Sequence, residues 1–297
     1  MALSPIRDAR LTETILLVGH GSRAPAGNLE LEKFARDWWA RHPDWNIEFC
    51  FIEFAQVLLD EGLDRAARGS RRVVVVPLIL NAAGHVKTEI PEHIKRARSR
   101  HPDTEFVYAR HLGAVSPILA IFCRRLHKAM RELDMPDPRN TGVILLARGS
   151  SDPTANGEVA KMARWLQESG DHDLVDIAFT SITHPRLERV VQRQSRLGMK
   201  QVVVLPNYLF AGTLMERIER QVTHLREQYP SIRFARGEYF GFEDEIFQLL
   251  EQRVREAGQG TGVMPCDGCG YREFATESGY GYNHHSHPHQ AAGGAGR

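Results

Sequence analysis

The sequence predicts an α/β protein of two homologous domains, each a parallel four-stranded sheet flanked by helices, with a disordered C-terminal tail. Two features carry that expectation: short β-branched runs that alternate with helical patterns, and an internal repeat of large period. The 297 residues suit two domains of about 100–150 residues each. A hydrophobic content of 42% supplies apolar material for their cores.

In chain order, strands are expected at Ile15–Val18, Ile47–Ile52, Val73–Leu80 and Glu105–Ala109. VVVVPLIL, at the third, is apolar on both faces, as a buried parallel strand should be. Between strands, LELEKFARDWWARHP places Leu31, Phe34, Ala35 and Trp38 at helical spacing. Strands separated by helices imply βαβ units. A second set follows at Val143–Ala147, Val175–Thr180, Val202–Leu205 and Arg233–Ala235.

The second set repeats the first. ILLVGHGSRAPAGN (Ile15 to Asn28) matches VILLARGSSDPTAN (Val143 to Asn156), and RRVVVVPLILNAAGHV matches KQVVVLPNYLFAGTLM. The offset is 128 residues from His20 to Arg148 and 129 from Pro77 to Pro206. The polar, proline-bearing DMPDPRNTG, Asp134–Gly142, reads as the linker. The expected division is therefore 1–137, 138–257 and a Cys/His-rich tail at 258–297 that should belong to neither core.

Composition excludes some roles. A net charge of +1 gives no electrostatic case for nucleic acid or a membrane as partner. No segment approaches the roughly 20 apolar residues of a membrane span. MALSPIRDARLTE lacks the apolar core of a signal peptide. Cys50 and Cys123 stand alone and only Cys266 and Cys269 are close together, so a disulfide framework is not expected and a cytoplasmic setting is.

Three residues stand out as candidate ligands. His20 follows the first strand, Glu53 ends the second, and His85 follows the third after the turn NAAG. Singly, each is ordinary. Together they leave three strand ends at one sheet edge, where parallel α/β sheets carry their sites. Two imidazoles and a carboxylate suit a first-row divalent ion with open positions for a substrate. In the repeat, His20 faces Arg148, Glu53 faces Ile182 and His85 faces Thr213, so all three ligands are absent together from the second half. That pattern fits one site kept in one half.

GHGSR also has the look of a phosphate loop, with Gly19, Gly21 and Ser22 presenting backbone N–H groups. It lacks the spacings of the nucleotide-binding motifs, and the same N–H groups would serve a carboxylate-rich ligand. In the tail, the CxxC of MPCDGCGYR is half of a four-cysteine site, to be completed by histidines, by Cys50 or Cys123, or by a second chain. HHSHPH offers His284, His285, His287 and His289, and metal handling is favoured over a meaningless tail. An iron–sulfur cluster on Cys266 and Cys269 and an ion reservoir on the histidines are the two readings.

GHGSR at 19–23, FIEFAQ at 51–56 and VPLILNAAGHV at 76–86 resemble the class II chelatases that insert metal into sirohydrochlorin. The match spans about residues 13 to 257 and resembles the long form, which fuses two copies and carries a histidine-rich tail. The resemblance implies a chelatase-like fold acting as a monomer or homodimer. It implies a metal site of His20, Glu53 and His85, with His20 as ligand and proton acceptor. It also implies that Leu80, Asn81, Ala82, Ala83, Gly84 and His85 line the tetrapyrrole. Gln56 stands where small relatives often carry Glu, which puts a proton-accepting role there in doubt. Ser22 and Arg23, and with them Lys87, Arg110 and Arg148, are placed to meet the carboxylates of an anionic tetrapyrrole. The implied activity is insertion of Co²⁺ for cobalamin synthesis. The alternatives are a sirohydrochlorin ferrochelatase using Fe²⁺ for sirohaem, a role with Ni²⁺, or a non-catalytic metal storage or delivery protein. His/Glu sites accept all these ions.

Overall fold

The computed structural model describes residues 13–264. Cys266, Cys269, His284, His285, His287 and His289, and with them the cluster and reservoir readings, lie outside the described residues.

The first half forms one parallel sheet from β1 (Glu13–Gly19), β2 (Ile47–Phe51), β3 (Arg72–Pro77) and β4 (Glu105–Tyr108), in the order β2-β1-β3-β4. The second half repeats it with β5 (Thr141–Ala147), β6 (Val175–Phe179), β7 (Gln201–Pro206) and β8 (Arg233–Arg236), ordered β6-β5-β7-β8. β3 stops at Pro77, short of the expected Leu80. Beyond it the chain leaves the ladder and becomes the loop that bears His85. β5 begins inside the expected linker, because Thr141 and Gly142 pair with Gln201 and Val202.

The helices are α1 (Pro25–Arg41), α2 (Leu59–Ala67), α3 (Ile90–Arg100), α4 (Ser116–Met130), α5 (Pro153–Glu168), α6 (Leu187–Arg196), α7 (Thr213–Gln228) and α8 (Asp244–Gly258). Strand alternation decides what each sheet face meets. Leu16 and Val18 point outward to a core shared with α2 and α3. Ile15 and Leu17 point inward, and Val143 and Leu145 of the second sheet do the same. The two inward faces share one continuous core through α1, α4, α5 and α8. The outer face of the second sheet is covered by α6 and α7. Leu31, Phe34, Ala35 and Trp38 are buried on α1, as their spacing predicts, and the Phe34 ring stacks on Phe247 of α8 at 4.2 Å.

Helix α4, from the first half, packs on β7 and β8. Helix α8, from the second, packs on β3 and β4. Each sheet is thus roofed by the other half's last helix, and the two halves are not separable bodies.

The expectation that the chain after Gly258 joins no core fails for residues 261–264. Val263 forms an antiparallel bridge with Ala109, Met264 N–H donates to the Tyr108 carbonyl at 2.9 Å, and Arg110 N–H donates to the Gly262 carbonyl at 3.0 Å. Met264 is 3% exposed in the outer core of the first sheet. The physical reason is the bare edge of β4: its backbone groups need partners, and a single apolar side chain without periodicity suffices to seat the segment. Among the described residues, no helix is long and apolar enough to cross a membrane.

Candidate metal centre

The order β2-β1-β3-β4 puts the reversal of strand order between β1 and β3, and the carboxyl ends of β2, β1 and β3 lie side by side at one edge of the sheet. His20 follows β1, Glu53 lies two residues after β2, and His85 opens a π-helical turn, His85–Glu89, after β3. π-turns are rare and are frequently found at functional sites. One ligand atom from each of His20, Glu53 and His85 lies within 4.8 Å of the others. The two imidazole rings meet edge to face at 4.7 Å, and His20 Nδ1 is 3.6 Å from Glu53 Oε1.

Local chemistry fixes how each ring presents itself. His85 Nδ1 sits 2.5 Å from Glu89 Oε2, one helical turn on in HVKTE. With the proton on Nδ1 the lone pair falls on Nε2, the arrangement by which a carboxylate orients a metal-binding imidazole. Burial alone would raise the Glu89 carboxyl, but the hydrogen bond and charge of His85 outweigh it and hold the carboxyl below the usual range. His20 Nδ1 is 3.0 Å from the Gly21 carbonyl, and Arg148 Nη1 rests 3.4 Å from His20 Nε2. Burial, and after it the charge of His85, lowers the His20 pKa from 6.5 to about 4. His20 is therefore neutral near pH 7, which suits a ligand and makes it a weak proton acceptor.

The GHGSR loop is held by its own side chains. The Asn28 carboxamide accepts from Ser22 N–H at 2.7 Å and donates to the Ser22 carbonyl at 2.9 Å. Ser22 Oγ accepts from Ala24 N–H at 3.1 Å. The second half builds the same clamp with Asn156 and Ser150, which explains why both copies end in asparagine. The clamp also occupies the Ser22 N–H, whereas the Ser22 hydroxyl, which accepts from Ala24, keeps its own O–H to donate to an anion. Gly21 has φ +87°, and a Cβ there would lie 1.7 Å from the Glu53 carbonyl oxygen. The approach of the β1 and β2 loops, and hence of His20 and Glu53, requires glycine.

Other expected residues divide. Arg23 lies with its guanidinium 4.7 Å from the Phe54 ring centre, and Gln56 is exposed on the loop beyond Glu53. Asn81, Ala83 and Gly84 keep partial exposure beside His85. Leu80 and Ala82, by contrast, are 9% and 6% exposed and belong to the cores on opposite sheet faces, so they offer a ligand little surface. Lys87 is paired with Asp152 at 2.5 Å, which removes it from the cations open to an anion. Cys50 is fully buried, with burial pushing its thiol well up, and cannot complete a cluster. Cys123 Sγ sits 3.4 Å from Ser169 Oγ, away from the site.

Sequence reasoning missed three partners. Glu89 was signalled by its spacing of four from His85. Asn28 was signalled by the repeat. The third is a network across the two halves: Asn81 donates to Glu158 at 3.1 Å, His111 Nε2 is 3.3 Å from the same carboxylate, and Asn207 donates to Asn81 at 3.2 Å. Nothing local in the sequence announces it. The repeat counterparts also shift. Ile52 and Glu53 donate to the carbonyls of Gly19 and His20 as Thr180 and Ser181 do to Ala147 and Arg148, so Glu53 corresponds to Ser181 rather than Ile182. Lys87 donates to Ala83 as Glu216 does to Gly212, which puts Leu214 rather than Thr213 at the place of His85. The second half still lacks every ligand.

Fold and cluster define a duplicated α/β protein with a group of residues in one copy that could hold a metal ion. The chain belongs to the CbiX family, whose model matches residues 14–129 and again 142–257. It is 38% identical over 263 residues to a sirohydrochlorin cobaltochelatase of Priestia megaterium, covering 88% of this chain and 85% of the relative. It is 30% identical over 267 residues to a sirohydrochlorin ferrochelatase of Bacillus subtilis strain 168, covering 89% of this chain and all of that one (100%). The sirohydrochlorin chelatase SirB of Bacillus subtilis subspecies spizizenii, solved in complex with cobalt, superposes with a TM-score of 0.71 at 28% identity, over 85% of this chain and 99% of that one.

Proposed function

We propose that this protein is a chelatase that inserts a divalent metal, Co²⁺ foremost, into sirohydrochlorin on the route to cobalamin. The observation that carries the reading is the gathering of His20, Glu53 and His85 at three adjacent strand ends, with two neutral-capable imidazoles and one carboxylate. Insertion needs an ion held by ligands that can let go, and removal of both pyrrole N–H protons. A closed four-cysteine site would hold the ion too firmly and leave no open position. Two histidines and a carboxylate leave room for the tetrapyrrole nitrogens to enter as the protein ligands leave.

The metal and the tetrapyrrole are both substrates here. His20, kept neutral, offers its lone pair to the ion. Each imidazole that gives up the ion regains a lone pair. His85 is the better placed to take a proton then, because Glu89 lies on its Nδ1 whereas Arg148 lies against His20. Arg23 and Arg148 stand on the two walls of the crevice, suited to the carboxylate side chains of the tetrapyrrole. One chain supplies both walls, so a monomer suffices for the reaction. Relatives of both the cobalt and the iron type match over most of the chain, and the donor set suits either ion.

The test is absorbance. Purified protein with metal-free sirohydrochlorin and Co²⁺ shifts the tetrapyrrole spectrum faster than the protein-free control. His20→Ala and His85→Ala abolish the acceleration while thermal unfolding stays unchanged, since strand-end loops contribute little core. No acceleration by the unmodified chain would favour metal storage or delivery instead.

A further inference from the structure

We infer that Arg148 keeps the metal affinity of the His20–Glu53–His85 site low by laying its guanidinium on the ligand atom of His20. The inference rests on the reading of that site given above and adds a role in metal release.

Arg148 follows β5 as His20 follows β1, and it occupies the place of the lost imidazole. Its backbone is fixed by the same devices that fix His20: Gly149 at φ +88° and the Asn156–Ser150 clamp. From that anchored position Nη1 reaches to 3.4 Å from His20 Nε2, the atom that carries the lone pair when Nδ1 donates to the Gly21 carbonyl. Two effects oppose an incoming ion there. The N–H competes for the lone pair, and the fixed positive charge repels a dication. Among the described residues no ion pair joins Arg148 to a carboxylate, whereas Lys87, the neighbouring cation, is neutralised by Asp152. No carboxylate therefore offsets the charge of Arg148 at the site, and solvent and salt alone screen it.

This is a useful defect for a protein that must give its metal away. Three good ligands on rigid strand ends would otherwise retain the ion. A carboxylate of the anionic substrate can draw the guanidinium aside and uncover Nε2, so occupancy of the tetrapyrrole site and metal affinity become coupled.

The experiment is calorimetric titration of the full chain with Co²⁺ alone, comparing unmodified protein with Arg148→Gln, Arg148→Lys, His20→Ala and the His20→Ala/Arg148→Gln pair. His20→Ala serves as the reference for any other binding on the chain. Arg148→Gln is expected to bind Co²⁺ at least about tenfold tighter at low salt. Arg148→Lys, which keeps the charge, stays near the unmodified value, and the double variant shows no gain over His20→Ala. Unchanged or weaker binding by Arg148→Gln, or a gain that persists without His20, overturns the inference and leaves the metal site standing. If His20→Ala itself binds Co²⁺ as the unmodified chain does, the site reading falls and this inference with it.

Discussion

Cutting the chain after Gly258 should leave the first half less stable than cutting it after Met264. The difference is six residues. Met264 is 3% exposed in the same outer core as Tyr108 and Val86, and its segment makes two backbone hydrogen bonds at the edge of β4. Burying a methionine side chain stabilises by about 1.5–3 kcal/mol, and each net hydrogen bond adds about 1 kcal/mol. Freeing the segment returns part of this as chain entropy. The expected loss is therefore about 2–3 kcal/mol, and Met264→Ala should cost a similar amount. For a chain of this size that lowers Tm by roughly 3–6 °C. Urea and thermal melts of the two truncations and of Met264→Ala provide the measurement. Equal melting of both truncations would show that residues 259–264 are not held as described. The cap also bears on the site: the Tyr108 hydroxyl donates to the Val86 carbonyl at 2.9 Å, inside the turn that presents His85.

Further outcomes follow from the loop geometry and charges. Gly21→Ala should displace the Glu53 loop and depress both Co²⁺ binding and chelation, because its Cβ would meet the Glu53 carbonyl at 1.7 Å; wild-type metal affinity in that variant would refute the close approach. Asn28→Ala strips partners from the Ser22 N–H and carbonyl, and should cost about 1–3 kcal/mol in a urea melt; an unchanged midpoint counts against the clamp. In metal-free protein the His20 ring should titrate near pH 4 by NMR, rising in His85→Ala as the neighbouring charge is lost. The unfolded chain takes up that proton near pH 6.5 and the folded one only near 4, so stability is unaffected above 6.5 and falls between the two. With the ring about a third exposed (31%), screening reduces the loss to about 1–2 kcal/mol. A midpoint near 6.5 would contradict the burial described.

Much of this was legible in the residues themselves. Strand and helix identity is local, set by β-branched runs and apolar periodicity, and the duplicated frame shows in paired motifs such as Pro77 and Pro206. His20, Glu53 and His85 could be placed together from sequence because parallel strands deliver their C-terminal residues to one edge. Their loss from the second half was equally readable. What sequence matching blurred was register: a one-residue slip after β2 named Ile182 as the partner of Glu53, where backbone hydrogen bonds select Ser181.

Only the tertiary structure decided the rest, because it depends on contacts between residues far apart in the chain. The exchange of α4 and α8 between sheets cannot be inferred from amphipathicity, since an apolar stripe does not say which sheet covers it. The seating of Met264 on β4 had no periodic signal at all. Lys87 looked open to anions until Asp152, 65 positions on, neutralised it. The nearness of Arg148 to His20, a residue 128 positions away, had no signal in the sequence. Sequence named the groups able to bind a metal; only folding, by bringing the two halves face to face, set the charge that bears on them.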